Sequence, residues 1–229
     1  MSAKAIIAVF SSVVVAIAVG VMWIRGRGGQ LELTGAVALS VSARLHGNLT
    51  QAGRQWRIDA FYEERPVVLM LGGKFILRSD TDSGRDFVPT LDIIRQCSTS
   101  VQLVVHGNLL GGANYLRNLW ARMWGRKLST GAMDFDSRFL VEGIVPSDVL
   151  IVDEGMRKRF LASNLALNGR SWEMAVGGGL AKVHEVFDED NKPATATEIA
   201  SEVLSRVDLL CALAANAERL KPGGTPATP

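Results

Sequence analysis

Short runs of alternating apolar and polar residues predict β-strands between about residues 40 and 186. Within Arg54–Tyr62, the apolar residues Trp56, Ile58 and Ala60 fall on one face and polar residues lie between them, as in a half-buried strand. Further strands are predicted at 100–105 and 139–143. Two hairpins are predicted where glycines interrupt apolar runs, at 67–78 around Gly72-Gly73 and at 170–186 around Gly177–Gly179.

Helical periodicity governs the C-terminal part. Pro146 and Asp153 begin two shorter helical stretches, and a long helix is predicted from Thr195 to about Leu220. Its apolar face carries Ile199, Val203, Val207, Leu210 and Ala214. The predicted fold class is α+β, with antiparallel hairpins, packed helices and a long C-terminal helix over residues 40–220. A disordered tail, 221–229, is expected after it.

A different pattern occupies the N-terminus. Ala5–Ile24 is an uncharged run whose length as a helix, about 30 Å, matches a bilayer's hydrocarbon core. We therefore predict a membrane anchor at 1–27 and a juxtamembrane linker at 28–39. The alternative is a signal peptide cleaved after Ala16-Ile17-Ala18, but the apolar run continues beyond that point without a polar break.

The anchor explains the unusual composition. Hydrophobic residues make up 48% of the chain and the formal net charge is +2. Residues 1–24 supply 19 of the hydrophobic residues, and removing Lys4, Arg25 and Arg27 leaves 22 basic against 23 acidic residues. This balance excludes a disordered chain, a polytopic membrane protein and a strongly basic nucleic-acid binder.

Charge around the anchor predicts its orientation. Arg25 and Arg27 outnumber Lys4, which favours a single-pass protein of the bacterial inner membrane with its C-terminal domain in the cytoplasm. A periplasmic domain stays open as the alternative. Cys97 and Cys211 do not form a disulfide framework. A stripe of small residues suits helix–helix contact with a second copy or a protein partner, at Ala8, Ser12, Ala16 and Gly20.

The most distinctive segment is Asn114–Lys127, which contains four basic residues and no acid. As a helix it places an apolar stripe beside arginines, a combination typical of helices that lie on the bilayer surface. We predict that this segment contacts the lipid bilayer or a protein partner through Leu116, Leu119, Trp120, Met123 and Trp124, flanked by Arg117, Arg122 and Arg126. The alternative is an ordinary amphipathic helix whose stripe packs on the sheet.

Catalytic chemistry has little support in the sequence. Asp134-x-Asp136 has the spacing of a metal-binding acidic pair, but a solvated turn is the better interpretation because a nucleotide-binding pattern is missing. His46, His106 and His184 are far apart, and we expect each to be a surface or hydrogen-bonded residue. His106 could pair in space with Asp59 or Asp136. We predict no catalytic residue, metal, cofactor or nucleic-acid partner.

One segment resembles a known pattern. Thr130-Gly131, Phe135-Asp136, Phe139, Val141 and Gly143 fit T-G-x-x-x-F-D-x-x-F-x-V-x-G, which resembles a segment of uncharacterised bacterial membrane-anchored domains. The resemblance implies a membrane-anchored α+β domain and carries over no catalytic residue. From the residues alone, Phe135 and Phe139 are expected in the core.

Together these features predict a membrane-anchored, non-catalytic binding or scaffolding module. One alternative is a membrane-tethered enzyme acting on a lipid or envelope substrate, with Asp134, Asp136 and one histidine as candidates. The other is an accessory subunit of a membrane complex.

Overall fold

The computed structural model of the protein describes residues 34–77, 85–107, 120–121, 123–163, 171–186 and 195–220. Its described part is built on a nine-stranded sheet in which neighbouring strands pair antiparallel, in the order β1-β2-β3-β4-β9-β8-β5-β7-β6. The strands are β1 (Asn48–Ala52), β2 (Gln55–Tyr62), β3 (Arg65–Leu77), β4 (Arg85–Gln96), β5 (Leu103–Gly107), β6 (Lys127–Leu128), β7 (Phe139–Gly143), β8 (Ser171–Gly177) and β9 (Leu180–Val186).

Helices accompany the sheet. They include α1 (residues 34–45), α2 (Met133–Asp136), a 3₁₀ helix (Pro146–Ile151), α3 (Glu154–Ala162) and α4 (Ala196–Arg219), and residues 120, 121 and 123 are helical as well. The predicted α+β class with an antiparallel sheet and a C-terminal helix is confirmed.

Alternation along the strands gives the sheet two unlike faces. In β2, Ile58 and Ala60 are buried, whereas Arg57 and Asp59 point away from the core, as the sequence predicts. We call the face that carries Ile58 the first face and the opposite one the second face. The first face packs against α4 and α1, which contact each other where Arg44 donates to Ser201 at 3.1 Å.

The long helix α4 begins as the sequence predicts. Thr195 is its N-cap, and a reciprocal pair of hydrogen bonds with Glu198 forms a capping box. Ten residues of α4 are buried, including Val203, Val207 and Leu210. Because its apolar face is wide and the sheet lies beneath it, α4 is the main cover of the first face.

A second part of the core is aromatic. Phe135 and Phe139, expected in the core, are fully buried, and their ring centroids lie 4.6 Å apart. Phe160 of α3 and Trp172 of β8 complete the cluster, with centroids 6.3 Å apart. These contacts hold α2 and α3 against β7 and β8.

Some local predictions are wrong. No hairpin turns at Gly72-Gly73, because β3 continues through both glycines to Leu77. Residues 34–39, assigned to the linker, are helical and bury Val37 and Ala38, so the domain includes them.

The predicted anchor Ala5–Ile24, its small-residue stripe and the tail 221–229 lie outside the described residues. Among the residues that are described, no helix has the length and apolar character needed to cross a bilayer.

Candidate functional site

We call Asn114–Lys127 the basic segment. Three of its large apolar side chains lie in solvent. Trp120, Met123 and Trp124 are 56%, 70% and 68% exposed, whereas Ala121 between them is buried. The rings of Trp120 and Trp124 stack at a centroid distance of 6.3 Å with 7° between their planes. We call these three residues the Trp surface. Leu116, Arg117, Leu119 and Arg122 of the predicted contact surface lie outside the described residues.

The Trp surface is fixed to β7. The backbone N–H of Gly143 donates to the carbonyl of Arg126 at 3.0 Å, and Lys127 of β6 pairs with Glu142 of β7. Glu142 points to the second face because its neighbours Val141 and Gly143 are buried on the first. The two tryptophans therefore stand beside Glu142 at one side of the second face.

Two adjoining cavities extend from this point across the second face. One, of about 370 Å³, is lined by Trp120, Ala121, Trp124, Arg126 and Glu142. The other, of about 560 Å³, shares Arg126 and Glu142 with the first and continues to Ile144, Leu180 and Lys182. We call the two together the groove.

The floor of the larger cavity follows from strand register. Val104 of β5 pairs with both Glu142 and Ala175, and Ala175 pairs with Lys182. Two apolar residues thus lie between a charged group on β7 and another on β9. Three strand spacings put Glu142 and Lys182 about 14 Å apart along this row. Glycines of the β8–β9 turn and the exposed side chains of Ile144 and Leu180 close one end.

The charges of the groove are not balanced locally. Glu142 is its one acidic lining residue among those described, and Arg126 and Lys182 are its cations. The ion pairs among the described residues include neither cation. Elsewhere, by contrast, Arg57, Arg159 and Lys158 each contact a carboxylate within 3.1 Å. The apolar floor has Lys182 at one side and Glu142 with Arg126 at the other, so the cations outnumber the acid and the groove is suited to an anionic ligand.

A row of histidines and carboxylates runs beside the groove on the same face. His106, Glu173, His184 and Asp92 are successive register partners on β5, β8, β9 and β4. His184 Nδ1 lies 2.6 Å from Asp92 Oδ1. His106 is buried, with its Nε2 3.4 Å from Glu142 and its Nδ1 3.9 Å from Glu173. We call these four residues and Glu142 the histidine row.

His106 and His184 belong to this row, but the other sequence-predicted acid–base candidates, Asp134 and Asp136, do not. Asp136 accepts hydrogen bonds from Ser129 Oγ at 2.6 Å and from Thr130 Oγ1 at 2.8 Å, so it closes the turn before α2. Asp134 is exposed on α2, and His46 lies exposed at the end of α1. His106 pairs with neither Asp59 nor Asp136. Within the described ranges, no three His, Cys, Asp or Glu side chains are placed to hold a metal ion.

The sequence analysis did not predict the histidine row, although one of its contacts could have been predicted from the sequence. The β8–β9 hairpin pairs Gly177 with Leu180, and counting back along both strands places Glu173 opposite His184. The other contacts join strands far apart in the chain, as in Asp92 and His184, which are 92 residues apart. Hydrophobic patterning carries no information on such pairings.

Comparison of the chain with protein-family models, with curated proteins and with solved structures finds no match.

Proposed function

We propose that the protein is a membrane-anchored, non-catalytic docking module whose Trp surface lies on the anionic face of the bilayer to which its N-terminus is tethered. The single observation that carries the proposal is the exposure of Trp120, Met123 and Trp124 together. Tryptophan rings favour the boundary between head groups and acyl chains. If the stripe packed on the sheet, as in the alternative interpretation, these side chains would be buried.

Charge supports the same occupant. The segment that bears the Trp surface contains Arg117, Arg122, Arg126 and Lys127 and no acidic residue. Each basic residue near an anionic bilayer contributes about 1 kcal/mol of attraction. A basic segment that carries stacked tryptophans thus complements a lipid surface in both polarity and charge.

The tether is long enough to permit this contact. The described part of α1 starts beside β2, since a Cβ added at Gly35 would lie 3.2 Å from Trp56. Six strand spacings, about 29 Å, separate β2 from β7. Ten peptide units separate Ile24 from residue 34, with an extended reach of about 33 Å. The predicted anchor can therefore cross the membrane while the Trp surface rests on it.

A position-specific probe tests the proposal in the full-length protein. Met123→Cys carries an environment-sensitive fluorophore, and the protein is reconstituted into phosphatidylcholine vesicles with or without phosphatidylglycerol. We expect a blue-shifted probe that nitroxide-bearing lipids quench, more strongly with phosphatidylglycerol present. The matched control is Phe61→Cys, because Phe61 is 72% exposed on the same sheet far from the basic segment.

Two outcomes would overturn the docking proposal. A probe at residue 123 that nitroxide lipids quench no more than the probe at residue 61 shows that the Trp surface does not meet the bilayer. A probe that is blue-shifted but not quenched shows that protein covers it instead, which favours a partner subunit.

The histidine row favours a second candidate, acid–base chemistry on a lipid held at the membrane. His184 lies within hydrogen-bond distance of Asp92, a geometry that orients an imidazole as a general base. If this reading is correct, full-length protein releases fatty acid or head group from vesicles and His184→Ala abolishes the release. Equal release by both proteins, or none, removes this candidate.

A further inference from the structure

The groove has features that bilayer contact alone does not require. Trp120 and Trp124 line the smaller cavity of the groove, and the larger cavity continues past Arg126 and Glu142 to Leu180 and Lys182 of β9. Its larger cavity, about 560 Å³, lies within the usual size range of small-molecule sites.

Polarity within the groove is arranged in zones. Val104 and Ala175 form the floor, and Ala175 is buried although it belongs to the second face. Lys182 stands at one side of this floor, and Glu142 with Arg126 lines the other. Exposed apolar side chains lie beyond the floor and its charged sides. Trp120 and Trp124 lie on one flank of the groove, and Ile144 and Leu180 lie at its end wall. A ligand that satisfies all zones combines one anionic group with apolar chains.

We infer that the groove binds the head group of a single anionic phospholipid, with its phosphate between Arg126 and Lys182 and its acyl chains directed along the Trp surface. This inference rests on the proposed docking, because that contact brings the groove to the head-group layer. A phosphodiester accepts charge-assisted hydrogen bonds from both cations, which lack a carboxylate partner within the described residues. A zwitterionic head group adds a cation close to Lys182 and is expected to bind more weakly.

Native mass spectrometry of the full-length protein in neutral detergent micelles tests the inference. The probes are dihexanoyl phosphatidylglycerol, dihexanoyl phosphatidylcholine and inorganic phosphate. We expect a saturable complex with one phosphatidylglycerol, at least tenfold weaker binding of phosphatidylcholine and no retained phosphate. Lys182→Gln and Arg126→Gln are each expected to weaken phosphatidylglycerol binding about tenfold, the loss that follows from one charge-assisted hydrogen bond.

Arg138→Gln is the matched control, since Arg138 is also exposed but lies outside the groove. The inference is overturned if phosphatidylglycerol and phosphatidylcholine bind equally, or if the control weakens binding as much as the two groove variants. Retention of inorganic phosphate alone overturns it in favour of a phosphate site without a lipid. Failure here with a quenched probe at residue 123 leaves bilayer docking standing. If phosphatidylglycerol binds in the groove but the probe at residue 123 is not quenched, the groove inference stands and bilayer docking fails.

Discussion

Arg206 and Glu185 form an ion pair inside the protein core. Arg206 Nε donates to Glu185 Oε2 at 3.1 Å, and the two side chains are only 3% and 1% exposed. The contact joins α4 to β9 on the first face. The opposite face of β9 carries Lys182 and His184. The ion pair therefore helps to position the strand on which one side of the groove is built.

Removing one member of the pair should destabilise the protein strongly. Glu185→Ala leaves the Arg206 guanidinium buried without its partner, a change that typically costs about 3–5 kcal/mol. Urea unfolding of the full-length protein in detergent, followed by circular dichroism, measures the loss. Replacing both residues with Arg206→Met and Glu185→Leu should cost less than Glu185→Ala alone.

The exposed pair of Arg57 and Asp59 provides the comparison. Its atoms are closer, at 2.7 Å, but both side chains are about half exposed. Asp59→Ala should therefore cost much less stability than Glu185→Ala, because solvent screens the exposed pair. A loss for Glu185→Ala no larger than that for Asp59→Ala would contradict the structural importance of the buried pair.

Asp136 should stabilise the turn before α2 through its carboxylate. It accepts from the hydroxyls of Ser129 and Thr130 and from the backbone N–H of Thr130. Asp136→Asn weakens charge-assisted hydrogen bonds and should cost about 1–3 kcal/mol. Asp134→Asn is the control, since this neighbouring side chain is exposed. Equal melting temperatures for the two variants would show that the turn does not depend on Asp136.

The same carboxylate predicts a pH dependence. Partial burial raises the pKa of Asp136, but hydrogen bonds from Ser129 and Thr130 outweigh it, so this pKa lies below its ordinary value. The stabilisation is therefore present above the unfolded-state pKa of about 3.9 and is lost as pH falls through the lower folded-state pKa. Acid titration of stability should show a smaller loss for Asp136→Asn than for the wild type. A parallel pair of curves would contradict this.

Gly47 should not tolerate a side chain. A Cβ there would lie 2.8 Å from Ile58 Cγ2 and 2.9 Å from Ala60 Cβ, atoms held by β2. Gly47→Ala should therefore cost about 1–3 kcal/mol by overpacking the contact between the end of α1 and the sheet. In Gly155→Ala, the new Cβ meets one side-chain oxygen at 3.3 Å, and alanine favours the helix. Thermal melts should move in opposite directions, and a neutral Gly47→Ala would contradict the close packing.

The sequence predicts an element correctly where the hydrophobic pattern and the local turn residues indicate the same structure. It does not do so where tertiary packing determines the conformation. The β8–β9 hairpin was predictable because Gly177–Gly179 separate two apolar runs. Gly72 could form a turn as readily, but it lies within β3 next to Gln55 of β2. A Cβ at Gly72 would lie only 3.2 Å from Gln55 Cγ. Glycine there permits close strand approach rather than a turn.

The N-terminal helix and the histidine row illustrate two other limits. Val37, Val41 and Leu45 recur at helical spacing, but glycine, serine and β-branched neighbours lower the helix propensity of residues 34–45 and hide the pattern. The row depends on which strands become neighbours, and β5 lies between β7 and β8 only because distant segments pair. Exposure of Trp120 and Trp124 likewise depends on what the sheet leaves uncovered.

The two cysteines should be unreactive in the folded protein and make it sensitive to alkali. Burial raises the pKa of Cys97 to about 11 and also raises that of Cys211. At pH 8.5, which is about the pKa of an ordinary thiol, both cysteines should resist alkylation until the chain unfolds. The introduced, exposed thiol of Met123→Cys should react at once at the same pH. Since the folded-state pKa is the higher one, their contribution to stability is complete below about pH 8.5 and is lost as pH rises through the folded-state values. Cys97→Ala should flatten this alkaline decline. Alkylation of the wild type as fast as that of Met123→Cys would show that the core around α4 opens readily, and would require the probe measurements to use a cysteine-free background.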